Sequence, residues 1–178
     1  MFERLQHNGI DDLVSLMDAI SSLGYTCRLI KSDFKGAYRT CPVDPSHQQF
    51  CDLIVTDPSS REPRICTQKA LPFGAVASVY GWERLGSALT AVLHMVGIPA
   101  LRYVDDLFFA VPSGMGDVAK KCLVEAISLL GYHLEPSKTE GPASLMTILG
   151  VQITVRPHSV VLAPDPLKAA KWIRDLKE

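Results

Sequence analysis

The stretch from Arg102 to Ala110, "RYVDDLFFA", constrains this chain more than any other. Tyr-Val on one side and Leu-Phe-Phe-Ala on the other have the aromatic and β-branched make-up of strands. Two consecutive carboxylates interrupt them, and a continuous buried strand would have to desolvate two like charges side by side. The segment therefore reads as a hairpin, with "ALRYV" and "LFFAV" as its strands and Asp105 and Asp106 at the tip. Neighbouring strand residues point to opposite faces, so the two aspartates need not do the same job. Taken alone, the pair also suits a solvated turn, where Asp is a favoured residue.

The rest of the chain punctuates itself into short elements. "GIDDLVSLMDAISSLG" places Ile10, Leu13, Val14, Met17 and Ile20 on one helical face, with Gly24 as a stop. "YTCRLIKSDF" reads as a strand, with Leu29, Lys31 and Asp33 on one side and Arg28, Ile30, Ser32 and Phe34 on the other. "FCDLIVT" and "RICTQKA" form a hairpin around the turn residues of "DPSSREP". The Pro and Gly of "LPFGA" open a long helix, apolar nearly all round and so expected to be buried, that ends at Gly97. A second amphipathic helix follows the acidic hairpin, with Val118, Cys122, Leu123, Ala126, Ile127 and Leu130 as its apolar stripe. "LMTILGVQITV" and "SVVLA" read as strands around "RPH", and Asp165 with Pro166 begins a last helix. This order gives one α+β domain over residues 1–178, with helices packed on one face of an antiparallel sheet.

Composition excludes several classes. The chain has 178 residues, 47% of them hydrophobic and 21% charged, enough for a sizeable core and unlike a disordered chain. Glu83, Arg84 and His94 interrupt its longest apolar stretch, so no membrane span is expected. The N-terminal residues lack a basic region followed by an apolar one, so an intracellular protein, nuclear or cytoplasmic and not secreted, is expected. Five cysteines without a CxxC pair read as reduced and mostly core. A formal net charge of −1 exerts no overall pull on nucleic acid, though a local basic groove is compatible with it.

Asp33 gives the acidic pair its chemical interest. It ends another strand, and two strands side by side would bring it to the same sheet surface as the aspartate pair. Three oxygen donors suit Mg²⁺, which binds through one or two protein carboxylates plus substrate phosphates. Two such ions, roughly 3.5–4 Å apart, can activate an attacking hydroxyl and stabilise a leaving pyrophosphate. Nucleotidyl transfer is the chemistry this pattern points to.

Five segments, "KSDFKGAYRTCPVD", "LPFGAVASVYGWERL", "RYVDDLFFA", "LLGYHLEPSKTEGP" and "LMTILGVQI", resemble in order and spacing the successive palm motifs of reverse transcriptases. The resemblance covers about residues 25–155. Phe73 within "LPFGA" and the following "SVY" look more like retrotransposons of the DIRS type, or their cellular relatives, than like retroviral enzymes. It implies a polymerase palm whose fingers and thumb are largely absent, with residues 164–178 as the start of a thumb or connecting helix, and a fragment or remnant of a retrotransposon polymerase. It further implies an RNA-directed DNA polymerase that uses two Mg²⁺ ions (Mn²⁺ as substitute), deoxynucleoside triphosphates and a primer on an RNA or DNA template.

Carried onto this sequence, the resemblance makes Asp33, Asp105 and Asp106 the catalytic, metal-binding carboxylates, with the carbonyl of Phe34 completing one metal's shell. Tyr38 would lie under the incoming sugar and reject a 2′-hydroxyl; packing on the sheet is its plainer reading. Leu71, Pro72, Phe73 and Gly74 would form the loop beside the nucleotide, which a helix-opening loop also explains. Lys138 would protonate the leaving pyrophosphate, or be a solvated loop lysine. Leu149 and Gly150 would grip the primer end, or form a strand with a glycine bulge. Lys31 and Arg39 are candidates for phosphate contact or for salt bridges, and Ser78, Gly81 and Gly86 for tight helix packing. His47, His94, His133 and His158 show no ligand spacing. A competing function is a catalytically silent palm that binds nucleic acid or protein. An RNA-dependent RNA polymerase relative fits less well, because of Tyr38 and the Tyr-Val before the aspartates.

Overall fold

In the computed structural model, which describes residues 5–176, the elements run in chain order as α1 (Ile10–Ser22), β1 (Cys27–Asp33), β2 (Asp52–Thr56), β3 (Pro63–Thr67), α2 (Val76–Met95), β4 (Leu101–Tyr103), β5 (Asp106–Pro112), α3 (Gly116–Leu129), β6 (Glu140–Ala143), β7 (Leu145–Ile148), β8 (Val151–Arg156), β9 (Ser159–Pro164) and α4 (Pro166–Asp175). This is the α+β class with antiparallel sheets that the element order implied. Among the described residues, no helix is long and apolar enough to cross a membrane. The chain divides into two compact units, one ending at Lys35 and resuming at Ala88, the other spanning Gly36–Ser87.

The larger unit is organised by a four-stranded sheet in the order β4-β5-β1-β6. Pairing of β1 with β5 sets Leu29 opposite Ala110, Lys31 opposite Phe108 and Asp33 opposite Asp106. These residues share one face. Helix α1 buries Leu13, Met17 and Ile20 against the apolar part of that face, in one core with Leu29, Phe108 and Ala110. Met146, Ile148 and Ile153 of β7 and β8 close the same core. Each large side chain buried there contributes about 1.5–3 kcal/mol. The Gly9 N–H donates to the Asp12 carboxylate at 2.7 Å, satisfying one orphan donor at the start of α1. Helix α3 begins with Gly116 over Pro142, too close for any Cβ, and beside Arg28 at ordinary contact distance. Arg28 belongs to the alternate set of β1 residues.

Four readings need correction. "LMTILGVQITV" is two strands, not one: Ile148 pairs with Val151, so Leu149 and Gly150 are the two residues of a tight turn. Both have positive φ, 48° and 79°, the pattern of a type I′ hairpin. The same finding replaces the glycine bulge. Helix α2 is buried along one stripe, including Ser78, Trp82, Glu83, Gly86, Leu89, Thr90 and Leu93, while Ala77, Ala88 and Ala91 are exposed. Alanines look apolar in a count yet cost little in water. The stripe of α3 is rotated: Leu123 and Ile127 are buried, whereas Val118, Cys122 and Leu130 are exposed. Finally, all five cysteines are free, but only Cys27 and Cys41 are core residues, and Cys66 and Cys122 are exposed.

The smaller unit contains the β2–β3 hairpin and the start of α2. The hairpin that the turn signals implied is present, with Ile54 aligned with Ile65, and every residue in both strands is exposed. Its base is tied by hydrogen bonds from Val43 N–H to Lys69 O at 2.8 Å and from Leu71 N–H to Cys41 O at 3.0 Å.

Candidate functional site: the acidic end of the sheet

Strand pairing brings the carboxylates together. Asp106 is the first residue of β5 and lies between Asp33 on β1 and Tyr103 on β4. Like charges directly opposite each other on antiparallel strands destabilise the pair. Val104 and Asp105 form the two-residue turn, and the carbonyl of Asp105 accepts a hydrogen bond from Phe34 N–H at 3.1 Å. The turn is thereby fastened to the residue that follows Asp33. On the other side of β1, Glu135 N–H donates to Asp33 O at 2.8 Å and Lys35 N–H to His133 O at 2.8 Å.

The turn is strained. Val104 has a φ of 55°, in the left-handed region where a β-branched residue is an outlier. Its carbonyl accepts from the buried Arg102 guanidinium at 2.7 Å, which helps hold that conformation. Strain of this kind costs on the order of 1–3 kcal/mol and collects at functional sites.

Electrostatics follow from the crowding. Partial burial, opposed by a backbone hydrogen bond and reinforced by Asp33, pushes the Asp105 carboxyl above its ordinary value. Asp106 is also pushed up, first by loss of water around its carboxyl and then by repulsion from Asp105 and Asp33. Asp106 is exposed as a residue, so water weakens both effects there. Lys138 answers the negative charge: its Nζ donates to Asp33 Oδ2 at 2.9 Å. That hydrogen bond, with the surrounding carboxylates, raises the lysine above its ordinary value and keeps it a cation.

A cleft of about 250 Å³ opens beside these groups, lined among others by Asp33, Asp106, Lys138, Leu149 and Gly150. The structure thus gathers Asp33, Asp106, Lys138 and the two turn residues around one cavity, while Asp105 is not part of its lining. Lys31 is not free for phosphate: it bridges Glu140 at 3.0 Å and the Thr147 carbonyl at 2.9 Å. Arg39 is exposed, and His94 bonds the Ala100 carbonyl at 2.7 Å. In the smaller unit, Tyr38 and Phe73 meet with ring centroids 5.1 Å apart, and Trp82 lies 6.3 Å from Tyr38. Gly74, at φ 84°, has open space around it, and Gly81 packs against Leu71, the role expected of a small helix residue.

Sequence reading missed Glu140 and Lys168. Lys168 in the first turn of α4 lies over Gly150, its Nζ 3.0 Å from where a Cβ would sit. Nothing in a local pattern announces that contact. Among the described residues, no group of three or more His, Cys, Asp or Glu is arranged to hold a metal ion. The donor chemistry nevertheless fits a hard divalent cation that takes one or two carboxylates and completes its shell with substrate oxygens.

No family model matches the chain, and no curated protein matches it. Solved structures do. A foamy viral protease-reverse transcriptase in complex with double-stranded DNA aligns with a TM-score of 0.68 at 17% identity, covering 92% of this chain and 26% of that one. Another, in complex with an RNA/DNA hybrid, aligns at 0.55 and 19% identity, covering 71% of this chain and 16% of that one. The fold is therefore reverse-transcriptase-like. This chain spans about a quarter or less of the length of either protein.

Proposed function

We propose that this chain carries the centre of a template-directed nucleotidyl transfer: an RNA-directed DNA polymerase acting on deoxynucleoside triphosphates and a primer, and belonging to a retrotransposon polymerase of DIRS type. One observation carries the reading. Asp33 and Asp106 are in register across paired strands, and Asp105 is tied by its carbonyl to the residue after Asp33. Three carboxylates held at a sheet end against their mutual repulsion are a costly arrangement for structure alone.

Asp33, Asp105, Asp106 and the Phe34 carbonyl would hold two Mg²⁺ ions, or Mn²⁺ in their place. When bound, these supply activation of the attacking hydroxyl and stabilisation of the leaving pyrophosphate. Lys138 is a cation within reach of the same carboxylates. To give its proton to a leaving oxygen it has to turn from Asp33 toward the phosphates, because the ion pair holds its proton on. Tyr38 and Phe73 form an aromatic surface suited to a sugar and base, with Tyr38 excluding a 2′-hydroxyl. Leu149 and Gly150, in a tight turn beside the acidic cleft, would steady the primer end. The likeness to structures that contain RNA/DNA hybrid and double-stranded DNA supports a nucleic-acid partner.

The test is primer extension on an RNA template with Mg²⁺, using this chain alone and joined to its adjoining coding sequence. Asp105→Asn should lower incorporation by about a thousandfold, several kcal/mol of lost charge stabilisation. Equal incorporation by Asp105→Asn, or none by the extended protein, defeats the polymerase reading. One observation favours a second reading, a silent palm that binds nucleic acid or protein: Lys138 already neutralises Asp33. Template binding without extension would decide for it.

A further inference from the structure

The Asp33 side chain is only 14% exposed, whereas that of Lys138, its ion-pair partner, is 62% exposed. A carboxylate so enclosed is costly to leave uncompensated, so some cation has to stand beside it at all times. Apart from that ion pair, the lysine is anchored through its backbone. Ser32, buried on β1, shares a hydrogen bond of 2.7 Å with Thr139, and the Thr139 hydroxyl also donates to Glu135 O at 2.9 Å. Lys138 N–H donates to the same Glu135 carbonyl at 3.0 Å. The short turn Pro136–Lys138 is thus fixed to the strand that ends in Asp33, while a flexible four-carbon stem reaches over it from the solvent side.

We propose that Lys138 is the resident counter-cation of the acidic site and exchanges with a divalent cation at Asp33. Arrival of the divalent cation and release of the lysine toward a phosphate-bearing substrate are then a single step. The proposal rests on reading the three carboxylates as a cation site and adds to it a coupling. Lys138 disfavours the divalent cation in the absence of substrate, and each cation bound makes one ammonium group available to substrate phosphates. By linkage the effect is reciprocal. The exchange has no covalent step. It replaces one N–H to oxygen contact on Asp33 Oδ2 with a metal to oxygen contact at the same carboxylate.

Isothermal titration calorimetry with Mg²⁺ alone on the whole chain tests it, without reference to activity. Lys138→Met should bind Mg²⁺ about tenfold more tightly than the unsubstituted chain, a coupling of ordinary size. Lys138→Arg, which keeps a cation, should stay near the original affinity. Asp33→Asn should remove the difference between lysine and methionine at position 138. Alongside, the NMR signal of ¹³C-methylated Lys138 should move as Mg²⁺ saturates. Equal Mg²⁺ affinity in the Lys138→Met variant, or a lysine signal that stays still while Mg²⁺ binds, overturns the exchange and leaves the cation site standing. If none of the proteins binds Mg²⁺, the cation site itself falls and the exchange falls with it.

Discussion

Two antiparallel strand pairs in this molecule look alike in sequence and differ in what holds them. In the β1–β5 pair, Leu29, Ile30, Phe108, Phe109 and Ala110 are fully buried. In the β2–β3 pair, Ile54 and Ile65 face each other at 77% and 73% exposure. Consecutive residues of the first pair are buried on both faces of the sheet, so packing on each side holds its strands together. The second is held by its turn and the hydrogen bonds at its base. The contrast teaches that the acidic end can tolerate repulsion because the apolar length of the same strands holds it, a support the exposed hairpin lacks.

The sharpest way to break this comparison is to empty the first pair. Phe108→Ala should cost about 3–5 kcal/mol, read as a lowered urea midpoint. A loss under about 1 kcal/mol would mean that the sheet does not carry the fold. Next in size is the strained turn. Val104→Asn, a residue that tolerates the left-handed region, should raise stability by about 1 kcal/mol in the same measurement. A decrease would show that the Val104 side chain contributes more than its backbone conformation costs.

A smaller effect comes from the raised carboxyls. In the folded chain, Asp105 and Asp106 hold their protons above the ordinary 3.8, where unfolded chains have already lost them. The folded state then binds more protons, so stability falls as pH rises through that window and returns on acidification. Asp106→Asn should therefore raise the melting temperature at neutral pH in metal-free buffer, with the gain shrinking as the pH falls toward 3.8. A gain that is constant with pH would rule out charge as its cause. Smallest of all is Ile54→Ala, which should change stability by no more than about 0.5 kcal/mol. A larger loss would show that the hairpin is covered in solution.

Much of this was legible in local patterns. Period-two alternation assigned Asp33 to the face of Leu29 and Lys31, and the charge interruption after Val104 located the hairpin tip. Gly24 and Asp165 marked helix ends correctly. What escaped was decided by contacts between distant residues. "EGPA" has no strand signature, and Pro142 is admissible only because β6 is the edge of its sheet. Leu-Gly is a poor turn signal beside Asn-Gly, so the β7–β8 hairpin was hidden. The stripe on α3 was misplaced because which of its apolar residues are covered depends on distant partners, as where Gly116 lies against Pro142. Lys138 was legible as a candidate, but its bond to Asp33, 105 residues away, was not.

The two exposed thiols have a use that none of the site chemistry suggests. Cys66 stands on the exposed hairpin of the smaller unit and Cys122 on the outer side of α3 in the larger one, while Cys27 and Cys41 are buried, with their thiols pushed up by desolvation. Thiolate-selective dyes should therefore spare the buried pair and mark these two positions, with the half-buried Cys51 removed by a single Ser substitution. The chain thus carries its own attachment points for fluorescent labels, one on each unit.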